Sequence, residues 1–270
     1  MSVLSAQQMT AYLDRIGVAA DATGAGPLKP DADTLELLHR AHVMTVPFEN
    51  LSIHLPDEEV SLELSALVDK VVTRHRGGFC YELNGLFAAL LESVGYRVER
   101  MSARTYSAES GTFGIPLDHL ALRVTDAAGD VWLADVGFGK HSELPLRYAE
   151  RGEQSDPFGT FLIAETDDGQ LDVFLDGEPQ YRVDPRTLTL ADFEIGRWWQ
   201  VTSPTSHFRQ RTLCSLPTAG GRMTLSGRKL ITTDADGRRE EELGDDAAVL
   251  AAYRELFGIE LTVVPEVAAG

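Results

Sequence analysis

The run Arg76-Gly77-Gly78-Phe79-Cys80-Tyr81-Glu82-Leu83-Asn84-Gly85-Leu86-Phe87 sets a cysteine behind two glycines at the entrance of a helix. From Leu83 the apolar residues fall at Leu83, Leu86, Phe87, Leu90, Leu91 and Val94, the stripe of an amphipathic helix. Gly95 stands where a C′ glycine ends such a helix. Cys80 shares the inward face and lies in the first turn, where unpaired N–H groups and the helix dipole favour an anion, here a thiolate. Gly77 and Gly78 permit a sharp turn or a close approach to a ligand. A cysteine on an apolar face fits an inert core as well as it fits a nucleophile. Its partners decide between the two.

A thiol nucleophile needs a base, and the base needs a group that orients it. Of the seven histidines, His119 is best placed, in Pro116-Leu117-Asp118-His119-Leu120-Ala121-Leu122-Arg123-Val124, which alternates as a strand does. A second strand, Val131-Trp132-Leu133-Ala134-Asp135-Val136-Gly137, follows the polar turn Asp126 to Asp130. If Thr125 pairs with Val131, then Ala121 lies opposite Asp135 and His119 opposite Gly137, which makes His119 and Asp135 diagonal neighbours on one face. A slip of one residue parts them, and the sequence leaves the register open.

These residues resemble the arylamine N-acetyltransferase family. RGGFCYELNGLF, HLALRV and DVGFG are similar to the family's cysteine, histidine and aspartate motifs. Val46-Pro47-Phe48-Glu49-Asn50-Leu51 and Thr202-Ser203-Pro204-Thr205-Ser206-His207-Phe208 resemble two further signatures, and the five stand in family order. The length is similar to that of the bacterial members, with nothing that resembles the long insertion of eukaryotic relatives. Helices followed by strands make the fold class α+β, and the resemblance implies three parts: a helical bundle over 1–95 carrying the nucleophile, an antiparallel β-barrel over 96–200 carrying His and Asp, and an α/β lid over 201–270. It implies a cysteine-protease-like triad of Cys80, His119 and Asp135.

The implied activity is transfer of an acetyl group from acetyl-CoA to arylamines, arylhydrazines or related aromatic amines, by a ping-pong route through acetyl-cysteine. Phe48, Phe138, Phe208 and Gly137 are implied to line the acceptor pocket, and Thr205 to lie near the coenzyme. Each phenylalanine read alone fits core packing. Two other readings use the same three residues: an amide synthase of this family moving a larger acyl chain onto an aryl amine, and a papain-like thiol hydrolase. Coenzyme phosphates need local donors on an acidic chain, and Lys140, Arg209 and Arg211 lie near motif residues; solvated surface is the alternative for each. Glu49 and Arg76 flank motif glycines or prolines, which suggests an internal ion pair.

Composition narrows the partners. Lys and Arg number 24 against 42 Asp and Glu, a net charge of −18, and such a field repels nucleic acid and anionic membranes. The expected partners are a small aromatic amine and coenzyme A, with oligomeric state left open. Two cysteines make no disulfide framework, and Cys214 reads as a buried strand cysteine. No metal signature is present. Without an apolar run near the ~18 residues of a membrane span, or a signal-peptide pattern at Met1 to Val18, the expected location is cytoplasmic.

Periodicity gives helices first and strands after. Ser5 with Gln8 makes a capping box before a helix that Gly17 stops. A loop over Asp21 to Pro30 precedes a helix capped by Asp33 and broken by Pro47, and Ser61 caps another carrying Leu64, Leu67, Val68, Val71 and Val72. Strands are expected near 97–105, 119–125, 131–136, 160–165, 171–176, 179–183, 208–214, 221–225 and 228–233. A last helix follows Asp245 or Asp246 and ends at Gly258.

Overall fold

The helices that lead the chain are Ala6–Arg15 (α1), Ala32–Thr45 (α2), Leu64–Val68 (α3) and Cys80–Val94 (α4), seen in a computed structural model that describes residues 3–19, 28–140 and 142–267. The loop expected over Asp21 to Pro30 lies mostly outside the described residues. Helix α1 starts on its capping box, with the Ser5 hydroxyl accepting from the Gln8 N–H and the Gln8 carboxamide accepting from the Ser5 N–H. Asp31 caps α2 in place of Asp33: its carboxylate accepts from the Thr34 N–H at 3.0 Å, which leaves Asp33 inside the first turn. Ser61 caps no helix, since its hydroxyl accepts from the Glu63 N–H ahead of α3, and α3 runs on into a π-helical turn, Asp69–Thr73. Every residue of α4 from Cys80 to Leu91 is buried, between α1 and α3 on one side and strands on the other. Gly95, at φ 113°, closes it.

Strand β1 is Phe48–Glu49. After α4 come Arg97–Ser107 (β2), Thr112–Phe113 (β3), His119–Thr125 (β4), Val131–Ala134 (β5), Leu146–Arg147 (β6), Gln154–Asp156 (β7), Gly159–Glu165 (β8), Leu171–Leu175 (β9) and Glu178–Leu188 (β10). They form an antiparallel sheet in the order β6-β5-β4-β2-β10-β9-β8-β7, with β3 paired to the end of β2. The sheet curls until its edges meet. The Gln154 side chain bonds both the N–H and the C=O of Arg147 at 2.7 and 3.2 Å, and the Asp156 carboxylate accepts from the N–H groups of Glu143 and Leu144. Side chains thus close a nearly complete barrel around Met101, Phe161, Ile163, Val173, Tyr181 and Val183, and the edge strands are not left open to pair with other chains.

The remainder comprises Glu194–Thr202 (α5), His207–Gln210 (α6), Cys214–Thr218 (β11), Gly221–Ser226 (β12), Lys229–Asp234 (β13), Gly237–Glu242 (β14) and Asp246–Phe257 (α7). Its sheet has the order β1-β11-β12-β13-β14, so a strand from the N-terminal third supplies one edge: Phe48 pairs with Ser215 and Glu49 with Cys214. Helix α7, capped by Asp245 and stopped by Gly258 at φ 67°, packs Val249, Tyr253 and Phe257 on Cys214, Leu225 and Leu51. The strand expected over 208–214 is instead α6 and an extended link. The Ser206 hydroxyl accepts from the Phe208 N–H and starts a helical turn. Asn50 then donates to the carbonyls of Phe208 and Arg211 and accepts from the Leu213 N–H, so a side chain serves where a neighbouring strand would. Among the described residues no helix is long and apolar enough to cross a membrane.

Candidate active site

Thr125 stands opposite Val131, and the register runs on to Leu122 opposite Ala134. The next residue, Asp135, leaves the strand end beside the first residue of β4. Asp135 Oδ2 lies 2.6 Å from Nε2 of His119, with both side chains buried. Cys80 opens α4 beneath them. The thiol itself donates to the Asp118 carbonyl at 3.9 Å; with Nε2 engaged by Asp135, Nδ1 is the ring nitrogen that His119 has left for the thiol, and the two groups lie close enough to shift each other's titration.

Asp135 is held from several sides. Asn84 Nδ2 donates to its Oδ1 at 2.8 Å, the Gly137 N–H donates to the same oxygen at 3.0 Å, and the Tyr181 hydroxyl bonds to the Asp135 side chain as well. His39 Nε2 accepts from the Asp135 N–H at 3.1 Å, and its Nδ1 donates to the Glu143 carbonyl at 2.9 Å, which sets its tautomer. Asn84 also donates to the Leu120 carbonyl and accepts from the Val136 N–H, so one side chain ties α4 to both β4 and the segment after β5.

Electrostatics correct one expectation. Burial pushes the Cys80 thiol up, against the pull of His119, so position in the first helical turn does not by itself give thiolate. Burial also opposes charge on His119, but the Asp135 carboxylate outweighs it and the imidazole is raised to about 10. Burial thus disfavours the Cys80 thiolate while Asp135 favours the imidazolium, so a thiolate formed here would have a cation beside it.

Cys80 and His119 line a cleft of about 480 Å³. Phe48, Phe138, Phe208, Gly137 and Thr205 all line it too. The Phe208 ring lies 6.0 Å from that of Phe48 and 5.2 Å from that of Phe79; Phe138 lies 5.2 Å from the His119 ring and 5.0 Å from Tyr181. Gly137 has a second duty: a Cβ there would meet the Cys80 Cα at 2.8 Å, so strand end and helix approach as only glycine allows. Of the three cations singled out for coenzyme phosphates, Arg211 lines the cleft, whereas Lys140 and Arg209 do not. Behind the nucleophile, Arg76 Nη2 meets Glu49 Oε1 at 2.8 Å with both side chains buried, and Lys70 joins Glu49 to Glu82.

A family model described as N-acetyltransferase matches residues 31–267. An arylamine N-acetyltransferase of Mycobacterium tuberculosis is 34% identical over 267 residues, covering 97% of this chain and 92% of the relative. The chain belongs to the arylamine N-acetyltransferase family. As a member of that family it is an acyltransferase. The arylamine N-acetyltransferase of Escherichia coli is 32% identical, with 93% of this chain and 90% of the relative covered. The Mycobacterium marinum arylamine N-acetyltransferase, solved in complex with CoA, superposes with a TM-score of 0.80 at 33% identity, over 93% of this chain and 92% of that one.

Asn84, which lies inside the cysteine motif of this N-acetyltransferase, and His39 and Tyr181, which lie outside every motif, were not singled out by sequence reasoning. Asn84 carried a signal, being a polar residue four positions after Cys80 on the same buried face. His39 and Tyr181 carried none, because nothing local marks a residue whose partner is 96 positions away or on the far wall of a barrel. Tyr106, Trp199 and His207 also line the cleft and had no local mark.

Proposed function

We propose that this N-acetyltransferase moves an acetyl group from acetyl-CoA to aromatic amines or arylhydrazines by a ping-pong route through acetylated Cys80. The observation that carries this reading is the Cys80, His119 and Asp135 cluster at an aromatic-walled cleft. The Mycobacterium marinum relative solved with CoA supports the choice of donor. In the first half-reaction His119 takes the thiol proton, the Cys80 sulfur attacks the acetyl carbonyl, and coenzyme A leaves with the proton returned to its sulfur. One thioester replaces another, so the step is close to thermoneutral and depends on positioning and on the thiolate.

In the second half-reaction the amine attacks, His119 accepts its proton, and Cys80 leaves as the thiolate that His119 reprotonates. Asp135 orients the imidazole and stabilises its charged form throughout. The Cys80 backbone N–H is the candidate oxyanion donor. Phe48, Phe138 and Phe208 would stack the aromatic acceptor and keep water from the thioester. Thr205 would lie along the coenzyme. The division into bundle (1–95), barrel (96–200) and lid (201–270) belongs to the same reading; one apolar cluster lies wholly within the barrel, while the bundle's cluster runs on into β4 and β5 and the lid's takes in Leu51. A reducing cytoplasm would suit a free thiol of this kind.

The test is intact mass after incubation with acetyl-CoA, peptide mapping, then addition of an arylamine. Label on Cys80 that leaves quickly to amine and slowly to water is the expected result. Label on Cys214, which burial pushes well above the usual thiol range, would sink the proposal, as would discharge to water as fast as to amine.

A further inference from the structure

Most arginines of this acidic chain have a carboxylate partner, but Arg222, half-buried on β12, has none among the described residues. Its Nη1 donates to the Ser215 hydroxyl at 3.0 Å, which occupies one of five guanidinium donors. Burial alone lowers it, to about 10, with no carboxylate to offset the loss of hydration. A charge taken from water without a counter-ion is costly, and such groups are normally paired. Arg222 faces a cavity of about 500 Å³ that Lys140 also lines. Lys140 is exposed and has no ion-pair partner among the described residues. Glu143 lines the cavity as well, but its carboxylate is engaged by Arg40. The opposite wall is apolar, from Pro157, Phe158 and Leu175.

We propose that this cavity binds a small organic anion, a carboxylate or phosphate monoester with an apolar body, its charge held by Arg222 and Lys140 and its body against Phe158 and Leu175. The guanidinium presents a planar fork that matches two anionic oxygens, while the lysine supplies a point charge on a mobile stem. The site is separate from the catalytic cleft: the two share no lining residue, and the turn Phe138-Gly139-Lys140 puts Phe138 in one and Lys140 in the other. A phosphate there could belong to a free monoester or to the coenzyme's own 3′-phosphate. The binding chemistry is the same.

Phenyl phosphate titrated calorimetrically into protein whose Cys80 has been alkylated tests the site with the catalytic cleft blocked. One saturable site is expected, and Lys140→Met should weaken it on the order of tenfold, the loss of one charge-assisted contact. Arg222→Met should abolish binding; because Arg222 sits within a sheet, the surface variant Lys140→Met keeps the test decisive if Arg222→Met does not fold. Coenzyme A competing with phenyl phosphate on the unmodified protein separates the sources: displacement assigns the site to the coenzyme's phosphate, and retention to a free organic anion. No saturable binding, equal binding by Lys140→Met, or binding that needs an unmodified Cys80 would overturn the proposal.

Discussion

Asn84 donates to Asp135 at 2.8 Å from a position one turn beyond Cys80 on the same helix. The helix that presents the nucleophile thus also fixes the carboxylate that orients the base. Asn84→Ala would strip a donor from Asp135 and from the Leu120 carbonyl and leave the Val136 N–H unpaired, each at roughly 1–3 kcal/mol for a buried group. The melting temperature should fall and Cys80 alkylation at neutral pH should slow. Parent-like alkylation alongside a lowered melting temperature would confine Asn84 to stability.

Asp135→Asn keeps the size of the side chain but removes the charge that lifts His119 to about 10. Burial would then dominate the imidazole and drive it below its ordinary range, so the buried thiol would have to ionise without a cation beside it. The equivalent change in serine proteases costs ~10⁴ in rate. The rate of iodoacetamide alkylation against pH should shift to higher pH in the variant. Superimposable profiles would mean that Asp135 does not act through His119 on Cys80.

The same raised histidine sets a stability trend. His119 binds its proton more tightly folded, with a value of about 10 against 6.5 unfolded, so its contribution is full below pH 6.5 and is lost as the pH rises to about 10. Unfolding free energy should decline across that window in the parent and decline less in His119→Asn. Denaturant midpoints measured at pH steps would show it, and equal slopes for the two proteins would refute it.

Gly137→Ala should be far more damaging than its size suggests. The added methyl would lie 2.8 Å from both the Cys80 Cα and Asn84 Nδ2, neither of which can swing away as a long side chain does. The outcome expected is loss of Cys80 reactivity together with a lowered melting temperature. A variant with parent-like alkylation would show that the strand end can retreat.

Arg76→Gln removes one side of a fully buried pair and leaves the Glu49 charge with Lys70 at 3.8 Å as its nearest remaining cation. Breaking such a pair costs ~3–5 kcal/mol. Thermal denaturation should show a marked drop, and an unchanged melting temperature would argue for a hydrated arginine.

What was legible in the sequence was local. The Ser5–Gln8 box, the stripe from Leu83 to Val94 with Gly95 behind it, and the alternation of His119 to Thr125 each write their geometry within a few residues. The motif residues were legible for the same reason, and the turn at Asp126 to Asp130 confined the register that brings Asp135 to His119. What could not be read depends on distant partners: the helical turn at His207, stabilised through Asn50; the seam at Gln154; and His39 under Asp135. Strand β14 was missed because Gly-Arg-Arg-Glu-Glu-Glu is exposed at every position and shows no alternation. The thiol was misjudged because burial, the larger influence on it, comes from packing that no helix pattern reveals.

The grip of Asn50 on the 208–213 segment spans 158 to 163 residues, one of the longest reaches in the molecule. A chain emerging from the ribosome carries Cys80, His119 and Asp135 long before it carries Phe208. The wall of the cleft cannot form until the last quarter of the protein is available, and a contact so remote in sequence pays a large loop-closure entropy. Docking of this segment therefore belongs among the late steps of folding, and until it docks the cleft lacks the wall that Phe208, Arg211 and Leu213 supply.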